Sequence, residues 1–342
     1  MLNALLTICV VVVAHGASLG TLVAALPSAA TPLAPKVLGA ATAQQFPVAP
    51  VVQRPTPSVT AVPVHAPQPP QRRSEAPQLV LPDTHAAAVV DAASGALLYD
   101  QNAHTHRAIA SLTKLFTAYI VRTSGVALDA PVEIHEDDLL RVGSRVGCKS
   151  STVCEGQQLV PGEVVTVRDL LTAMLVASAN DAAVALARYI AGSQEAFVAL
   201  MNARAQDVGL TDSHFCTPNG LEVDGETCYS SAADIGRIGV LAIHDTLIWQ
   251  LLNTPRATIT SRDGAYTHEL VATNKLAGTP RVAGMLGAKT GFTPQAGKSL
   301  LMAVAHPERS DVRIVAVLLG NPWRWRDINT LVDWTWQAYQ WQ

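Results

Sequence analysis

Lysine is scarce in this chain of 342 residues, which contains 18 arginines but only six lysines. Where any cation would serve, the sequence therefore uses arginine, and each lysine position is informative. Two of the six, Lys114 and Lys289, lie in short polar motifs. An ammonium group can lose its proton when it is buried or lies near another cation, whereas a guanidinium group stays protonated in proteins. A base at position 114 therefore has to be lysine.

Strong net charge and metal-ligand spacing are also missing. The formal net charge is only -3 at pH 7, whereas nucleic-acid-binding proteins typically carry a basic patch. The five cysteines include no Cys-x-x-Cys pair, and no pair of histidines completes a zinc pattern. We therefore expect no nucleic-acid partner, no metal and no cofactor.

The first 80 residues divide into two segments of unusual composition. Residues 4–26 are almost wholly apolar and no Lys or Arg precedes them, so residues 1–26 are predicted to be a signal peptide or a membrane anchor, and both alternatives remain open. Residues 27–80 hold 12 of the 21 prolines. Proline fixes the backbone and lacks an amide donor, so we expect a disordered, stiff linker rather than a packed core. Recognition of a partner through these prolines is the alternative.

Four of the cysteines form two close pairs along the chain, Cys148 with Cys154 and Cys216 with Cys228. Two local disulfides are the simplest pairing, although four cysteines allow three connectivities and reduced, buried thiols are the alternative. Disulfides agree with an export segment, so we expect an extracytoplasmic protein, secreted or tethered to a membrane by its amino end. Residues 81–342 are then the catalytic domain, which is long enough for one core.

The first motif that carries chemistry is Ser111-x-x-Lys114. Apolar residues repeat at helical spacing from just after Ser111, so one face of a helix is predicted to be core. Ser111 and Lys114 are three residues apart on that helix, so the amine can reach the hydroxyl group near the helix amino terminus. This arrangement is typical of an activated nucleophile. A capping serine followed by a solvent-facing lysine is the alternative.

Two further motifs follow in order along the chain. Ser178-Ala-Asn180 lies between two apolar helical segments, the first of which begins with a capping box of Thr166 and Asp169. Lys289-Thr-Gly precedes strand-like runs at residues 299–305 and 312–319, which predict an antiparallel sheet. Gly291 in such a strand would let a substrate approach the backbone closely. Two more strands are expected at residues 86–90 and 96–99, and a last helix, rich in tryptophan, at residues 326–340 is expected to pack on the sheet.

The three motifs and their order resemble those of the penicillin-sensitive enzymes with an active serine. From about residue 80 to 342 the chain resembles D-alanyl-D-alanine carboxypeptidases of the low-molecular-mass penicillin-binding protein family. The resemblance extends to Pro-Asn-Gly-Leu at 218–221 and Ser-Ala-Ala-Asp at 231–234. It implies an α+β fold like that of DD-peptidases and β-lactamases, in which an antiparallel sheet is packed by helices and a mostly helical insertion separates the first and third motifs.

The resemblance also implies a role for each motif residue. Ser111 would attack the penultimate D-alanine of a peptidoglycan stem peptide, Lys114 would accept its proton and Ser178 would relay a proton to the leaving amine. The implied substrate-binding residues are Asn180, Lys289, Thr290 and Gly291. The backbone N–H groups of Ser111 and Phe292 would form the oxyanion hole, and β-lactam antibiotics would inhibit the enzyme. The resemblance suggests a further arginine for the substrate carboxylate, which the sequence does not single out.

Three alternatives to a carboxypeptidase remain. The same acylation chemistry would serve an endopeptidase that cleaves D,D cross-links between two stem peptides. A β-lactamase needs fast deacylation, which in the commonest type depends on a Glu-x-x-Leu-Asn segment, and none lies between Asn180 and Lys289. A catalytically silent wall-binding module is the third alternative, and the intact Ser111 and Lys114 argue against it.

Overall fold

The computed structural model describes residues 67–140 and 142–342. The predicted signal or anchor at 1–26, and the predicted linker as far as residue 66, lie outside the described residues. The helices are α1 (Thr113–Thr123), α2 (Val167–Val176), α3 (Asn180–Ala191), α4 (Gln194–Asp207), α5 (Ala232–Leu241), α6 (Thr246–Leu252) and α7 (Arg324–Ala338). The strands are β1 (Gln71–Arg72), β2 (Ala86–Asp91), β3 (Leu97–Gln101), β4 (Pro131–Glu133), β5 (Val164–Thr166), β6 (Arg256–Thr260), β7 (Thr267–Val271), β8 (Met285–Thr293), β9 (Gly297–Ala305), β10 (Arg313–Leu319) and β11 (Tyr339–Gln340).

A five-stranded antiparallel sheet organises the molecule, with strand order β3-β2-β10-β9-β8. Successive side chains of a strand point to opposite faces, and both faces of this sheet are covered. On β2, Ala86 and Ala88 belong to the core beneath the helical insertion, whereas Ala87 and Val89 belong to the core beneath α7. Continuous apolar strands are therefore required, and the predicted α+β fold is confirmed.

Helix α5 approaches the sheet closely because it carries two glycines on its inner face. A Cβ atom on Gly236 would lie 2.6 Å from the Val90 side chain, and one on Gly239 would lie 2.6 Å from that of Val315. The small residues let the helix backbone rest directly on β2 and β10. This helix thereby fixes the helical insertion against the centre of the sheet.

Helices α2 and α3 are joined by a connection of three residues. The predicted capping box is present: Thr166 Oγ1 accepts from the Asp169 N–H at 3.1 Å, and Asp169 accepts from the Thr166 N–H at 2.9 Å. Helix α2 ends at Val176, and α3 begins at Asn180. Between them Ser178 adopts a left-handed backbone with φ of 59°, which turns the chain sharply and presents Ser178 and Asn180 on one side.

Helix α7 covers the second face of the sheet with Leu331, Trp334 and Ala338, as predicted for the tryptophan-rich helix. Strand β1, near the start of the described residues, pairs antiparallel with β11, which follows α7. The Trp334 indole N–H also donates to the Pro77 carbonyl at 2.8 Å. Packing against the domain therefore begins before residue 81, within the segment predicted as linker. A strand of two polar residues has no apolar pattern, so the sequence gives no sign of it.

The two predicted disulfides are present, joining Cys148 to Cys154 and Cys216 to Cys228. The first closes a short loop in which the chain reverses, with Cα atoms 3.9 Å apart. Among the helices of residues 67–140 and 142–342, none combines the length and apolar character that a membrane-spanning segment requires.

Candidate active site

A cleft of about 480 Å³ runs between β8 and the helical insertion. It brings together segments that are far apart in the sequence, including all three motifs and the loop closed by the first disulfide. The predicted site residues that line it are Ser111, Ser178, Asn180, Thr290, Gly291 and Phe292. Lys114 and Lys289 lie behind this surface, at 0% and 1% exposure. The structure therefore places the eight predicted site residues around one cavity.

Ser111 lies in a one-turn 3₁₀ helix, Ala110–Leu112, directly before α1 rather than inside it. Lys114, in the first turn of α1, donates from its Nζ to Ser111 Oγ at 2.8 Å. The same Nζ donates to Asn180 Oδ1 at 2.7 Å and to the Asn219 carbonyl at 2.7 Å. The amine is thus held by three oxygens and is aimed at the serine hydroxyl group.

Burial lowers the pKa of Lys114 well below its ordinary value, and the nearby charge of Lys289 lowers it further. The carboxylate of Asp181 raises it in part. Three oxygen acceptors also favour the ammonium form, but an ammonium group without contact to water is costly. The net direction is downward because the side chain is fully buried, so the neutral amine is accessible nearer neutral pH than in a free lysine.

The second polar pair joins the other two motifs. Lys289 Nζ donates to Ser178 Oγ at 2.7 Å and to the Thr290 carbonyl at 3.0 Å. Burial lowers the pKa of Lys289 to about 7, and the positive charge of Arg324 contributes. Each buried lysine therefore contacts one serine hydroxyl group, and the two hydroxyl groups open into the same cleft. Such paired amines and hydroxyl groups can move protons between a nucleophile and a leaving group.

Gly291 is required by a backbone contact that the sequence did not predict. Its strand, β8, is at the edge of the sheet, so a substrate can reach the backbone from the cleft. A Cβ atom on Gly291, however, would lie 2.8 Å from the Ile109 carbonyl oxygen. The glycine therefore makes room for the backbone that carries the 3₁₀ helix. Close approach of a substrate to Gly291, which lines the cleft, stays a prediction.

Two cleft residues were missed by the sequence reasoning. Arg324, at the start of α7, donates from Nη1 to the Gly291 carbonyl at 2.8 Å and to the Ser299 carbonyl at 2.9 Å. Thr273 accepts from the Thr290 hydroxyl group at 2.7 Å. Both line the cleft beside the third motif. No local pattern identifies either one, since each is brought there by the fold.

The Pro-Asn-Gly turn at 218–220 packs behind the serine. It supplies the Asn219 carbonyl to Lys114, and the Pro218 carbonyl accepts from Thr117 Oγ1 at 2.6 Å. Gly220 has φ of +80°, and a Cβ atom there would lie 2.0 Å from the Ala110 carbonyl oxygen. Only glycine lets this turn lie so close to the residue before Ser111.

The opposite wall of the cleft is fixed to α3. The Asn180 amide donates to the Val142 carbonyl at 2.9 Å, and the carboxylate of Asp181 accepts from the Val146 N–H at 3.1 Å. Burial raises the pKa of Asp181 to about 6. The segment 142–146, which leads into the disulfide loop, is therefore held by Asn180 of the second motif and by Asp181 next to it.

One group of potential metal ligands, Cys216, Glu226 and Cys228, lies close together in the described part of the chain. Its two sulfurs are joined in a disulfide, and a disulfide lacks the thiolate that binds metals. This group does not fit a metal ion.

The chain matches the sequence model of a protein family described as D-alanyl-D-alanine carboxypeptidase, over residues 72–322. The chain belongs to this family, peptidase S11. The match includes the three motifs and ends just before α7. It begins at β1 and so agrees with the observation that packing starts before residue 81.

Individual relatives agree with the family. D-alanyl-D-alanine carboxypeptidase DacC of Escherichia coli is 33% identical over 275 residues, which are 78% of this chain and 64% of that protein. The chain thus spans less than two thirds of that relative. The D-alanyl-D-alanine endopeptidase of Pseudomonas aeruginosa is 33% identical over 252 residues, 72% of this chain and 76% of that protein. The cefotaxime-bound structure of penicillin-binding protein D2 of Listeria monocytogenes has a TM-score of 0.61 at 30% identity and covers 76% of this chain and 99% of that one.

A Cβ atom on residue 220 would displace Ala110 and with it Ser111. We therefore predict that Gly220→Ala slows the covalent labelling of the protein by a β-lactam at least tenfold. Gly225→Ala is the matched control, since Gly225 also has a positive φ, of +83°, but nothing within 4 Å of an added Cβ. Both variants carry the cost of alanine in a left-handed conformation, ~1 kcal/mol. Labelling followed by intact mass measures the difference, and equal rates in the two variants would contradict the account.

The charge of Lys289 predicts a shift in the pH dependence of acylation. Lys289 lowers the pKa of Lys114, so Lys289→Gln removes a repulsion and raises that pKa. The acidic limb of the β-lactam acylation rate, plotted against pH, should then move to higher pH, whatever the loss in maximal rate. Lys298→Gln is the control. This substitution also removes one lysine charge, but Lys298 is exposed on β9 and does not contact Lys114. If the acidic limb in Lys289→Gln stays at the same pH or moves to lower pH, the charge of Lys289 does not lower the pKa of Lys114.

Proposed function

We propose that the protein is a serine-type D-Ala-D-Ala carboxypeptidase that trims peptidoglycan stem peptides through an acyl-enzyme and is inhibited by β-lactams. The observation that carries the proposal is the contact of 2.8 Å between the buried Lys114 amine and Ser111 Oγ, inside a cleft shared by all three motifs. Family membership supports the same reaction class. Activity, substrate and partners of the whole protein rest on this proposal.

In the first step Ser111 Oγ attacks the carbonyl carbon of the penultimate D-alanine, and its proton passes to Lys114. The step requires Lys114 as a neutral amine, and its lowered pKa makes that form available. The developing oxyanion accepts hydrogen bonds from the backbone N–H groups of Ser111 and Phe292, two residues on the same cleft. Water later hydrolyses the ester and releases the shortened peptide.

The leaving amine needs a proton, and Ser178 is placed to deliver it. Its hydroxyl group lies 2.7 Å from the Lys289 amine, so a proton can pass along this pair as the amide bond breaks. Asn180 holds Lys114 with its side-chain oxygen, and it faces the cleft to position the substrate amide. The amide hydrogen bond to Val142 fixes the orientation of this side chain.

The substrate carboxylate is expected to bind at the third motif. Lys289 and Arg324 provide positive charge at one end of the cleft, and the Thr290 hydroxyl group, which donates to Thr273, lies beside them. Arg324 takes the place of the carboxylate-binding arginine that the sequence left unassigned, because its guanidinium group lies beside Gly291 and its charge reaches Lys289. A guanidinium group suits a carboxylate by geometry as well as charge.

Cleavage of D,D cross-links is the second candidate function, since the endopeptidase relative shares the family and the same acylation chemistry. A β-lactamase is less well supported, because the segment from Asn180 to Lys289 lacks the Glu-x-x-Leu-Asn deacylation motif. A silent binding module would need neither the buried Lys114 beside Ser111 nor the buried Lys289 beside Ser178. We also propose an extracytoplasmic location, cell wall or periplasm, with residues 1–26 as signal or tether, supported by the two disulfides.

The proposal predicts a stable adduct of penicillin on Ser111 and release of D-alanine from a stem pentapeptide. The measurement is intact mass of the protein with penicillin, and D-alanine release, for the wild type and for Ser111→Ala. The variant should give neither signal, since the nucleophile is missing. Rapid loss of the adduct with hydrolysed penicillin would point to a β-lactamase, and absence of any adduct in the wild type would point to a binding module.

A further inference from the structure

Glu222 is the one acidic side chain that lines the active-site cleft in the described part of the chain. It follows the Pro-Asn-Gly-Leu turn at 218–221, which packs behind Ser111. Its Oε1 accepts from the Thr293 hydroxyl group, the only hydrogen bond or ion pair that this side chain makes within the described residues. The proposed acylation steps do not use the carboxylate. Its second oxygen, Oε2, is therefore available to a ligand.

The position of Thr293 on β8 shows at which end of the cleft Glu222 lies. The substrate carboxylate is expected beside Thr290 and the oxyanion at the N–H group of Phe292, so a substrate that lies along β8 places its scissile carbonyl near Phe292. Strand residues are about 3.3 Å apart, so Thr293 lies roughly 10 Å from Thr290 along β8. Glu222 is therefore at the acyl end of the cleft, where the part of the substrate that stays on the serine is bound.

Residues 221 and 222 cross this end of the cleft from one wall to the other. A Cβ atom on Gly143, in the wall that is fixed to α3, would lie 3.9 Å from Leu221 Cδ2. Glu222 reaches Thr293 on the opposite wall. A peptide that extends from the scissile bond along β8 therefore passes directly over the carboxylate.

Hydrogen bonds on both sides hold the Glu222 carboxylate in place. The Thr293 hydroxyl group accepts from the Ala296 N–H at 3.1 Å, so its own proton is directed at Glu222. Directly before Glu222, the Leu221 carbonyl accepts from Thr217 Oγ1 at 3.0 Å. The second disulfide closes the loop that contains these residues. The carboxylate is thus positioned before a ligand binds, which lowers the entropic cost of binding.

The charges that line the cleft differ between its two ends. Arg324 is a cation at the leaving-group end, whereas Glu222 is an acid at the acyl end. Residues 216–228, the loop closed by the second disulfide, include three acids and no Lys, Arg or His, so no cation of this loop neutralises Glu222. Lys149, a further cation of the lining, is paired with Glu155 at 2.6 Å. The cleft therefore suits a ligand with a carboxylate at its leaving end and an ammonium group on its acyl part.

We propose that Glu222 binds an ammonium group on the side chain of the substrate residue that precedes the two D-alanines, and so selects stem peptides in which that residue is a diamino acid with a free amine. The inference rests on the proposed function. An ammonium group and a carboxylate form a charge-assisted hydrogen bond. A stem peptide whose amine is acylated lacks the charge and is a poorer substrate. Glu222 contacts none of the reacting atoms, so it determines specificity rather than the chemical step.

The test compares two stem pentapeptides that differ only in the third residue, which is lysine in one and Nε-acetyl-lysine in the other. In the wild type, kcat/KM for D-alanine release should be about fivefold higher for the lysine peptide, as expected for an ion pair exposed to water. Glu222→Gln should bring this ratio close to one, because glutamine keeps an oxygen for the Thr293 hydroxyl group but lacks the charge. Glu226→Gln is the matched control, since Glu226 is an exposed acid of the same loop that does not line the cleft. Its ratio should equal that of the wild type.

Salt provides a second readout that a purely structural role of Glu222 would not change. In the wild type the ratio should fall towards one as the salt concentration rises, because exposed charges are screened. A wild type that releases D-alanine equally fast from both peptides would overturn the inference. A ratio that is independent of salt, or that is the same in Glu222→Gln as in the wild type, would also overturn it.

Failure of the proposed function gives a different result. A wild type that neither releases D-alanine from either peptide nor forms a penicillin adduct would overturn the proposed function, and the inference with it. Formation of the adduct with benzylpenicillin, which carries no ammonium group, shows that each variant is folded.

Discussion

The buried amine of Lys114 is the constraint on which the rest of the site depends. A side chain with 0% exposure cannot keep a full charge cheaply, and its pKa falls accordingly. Its position requires oxygens from three separate segments: the 3₁₀ helix with Ser111, the start of α3 with Asn180 and the turn with Asn219. The fold brings these segments to one point, and burial then supplies the reactivity.

The sheet positions the third motif, and the helical insertion positions the first two. Strand β8 presents Lys289 and Thr290 from the edge of the sheet, while α1 and α3 present the other two motifs from the insertion. Close backbone contacts join the two halves, because Gly291 and Gly220 each make room for the residues just before Ser111. The nucleophile is therefore held from both sides by glycines, and the cleft lies at the boundary between the two layers.

Much of this could be predicted from sequence, because the motifs carry chemistry that depends on residue type. The scarcity of lysine identified Lys114 and Lys289, and apolar periodicity placed α2, α3 and the strands of the sheet. Contacts between distant segments could not be predicted in the same way. Arg324 reaches the cleft through the packing of α7 on the sheet, and Thr273 is held there by a hydrogen bond from its N–H to the Val176 carbonyl at the end of α2. The left-handed backbone of Ser178 has no sequence signal either, since a residue with a Cβ atom seldom adopts it.

The most direct test of the central claim is the titration of the Lys114 amine itself. Selective ¹⁵N labelling of lysine side chains, followed by NMR as a function of pH, would give few signals because the chain has six lysines, and Lys114→Met identifies the signal that matters. The account predicts a pKa for Lys114 well below the ordinary lysine value of 10.5. A pKa for Lys114 at that ordinary value would contradict a neutral base at this position.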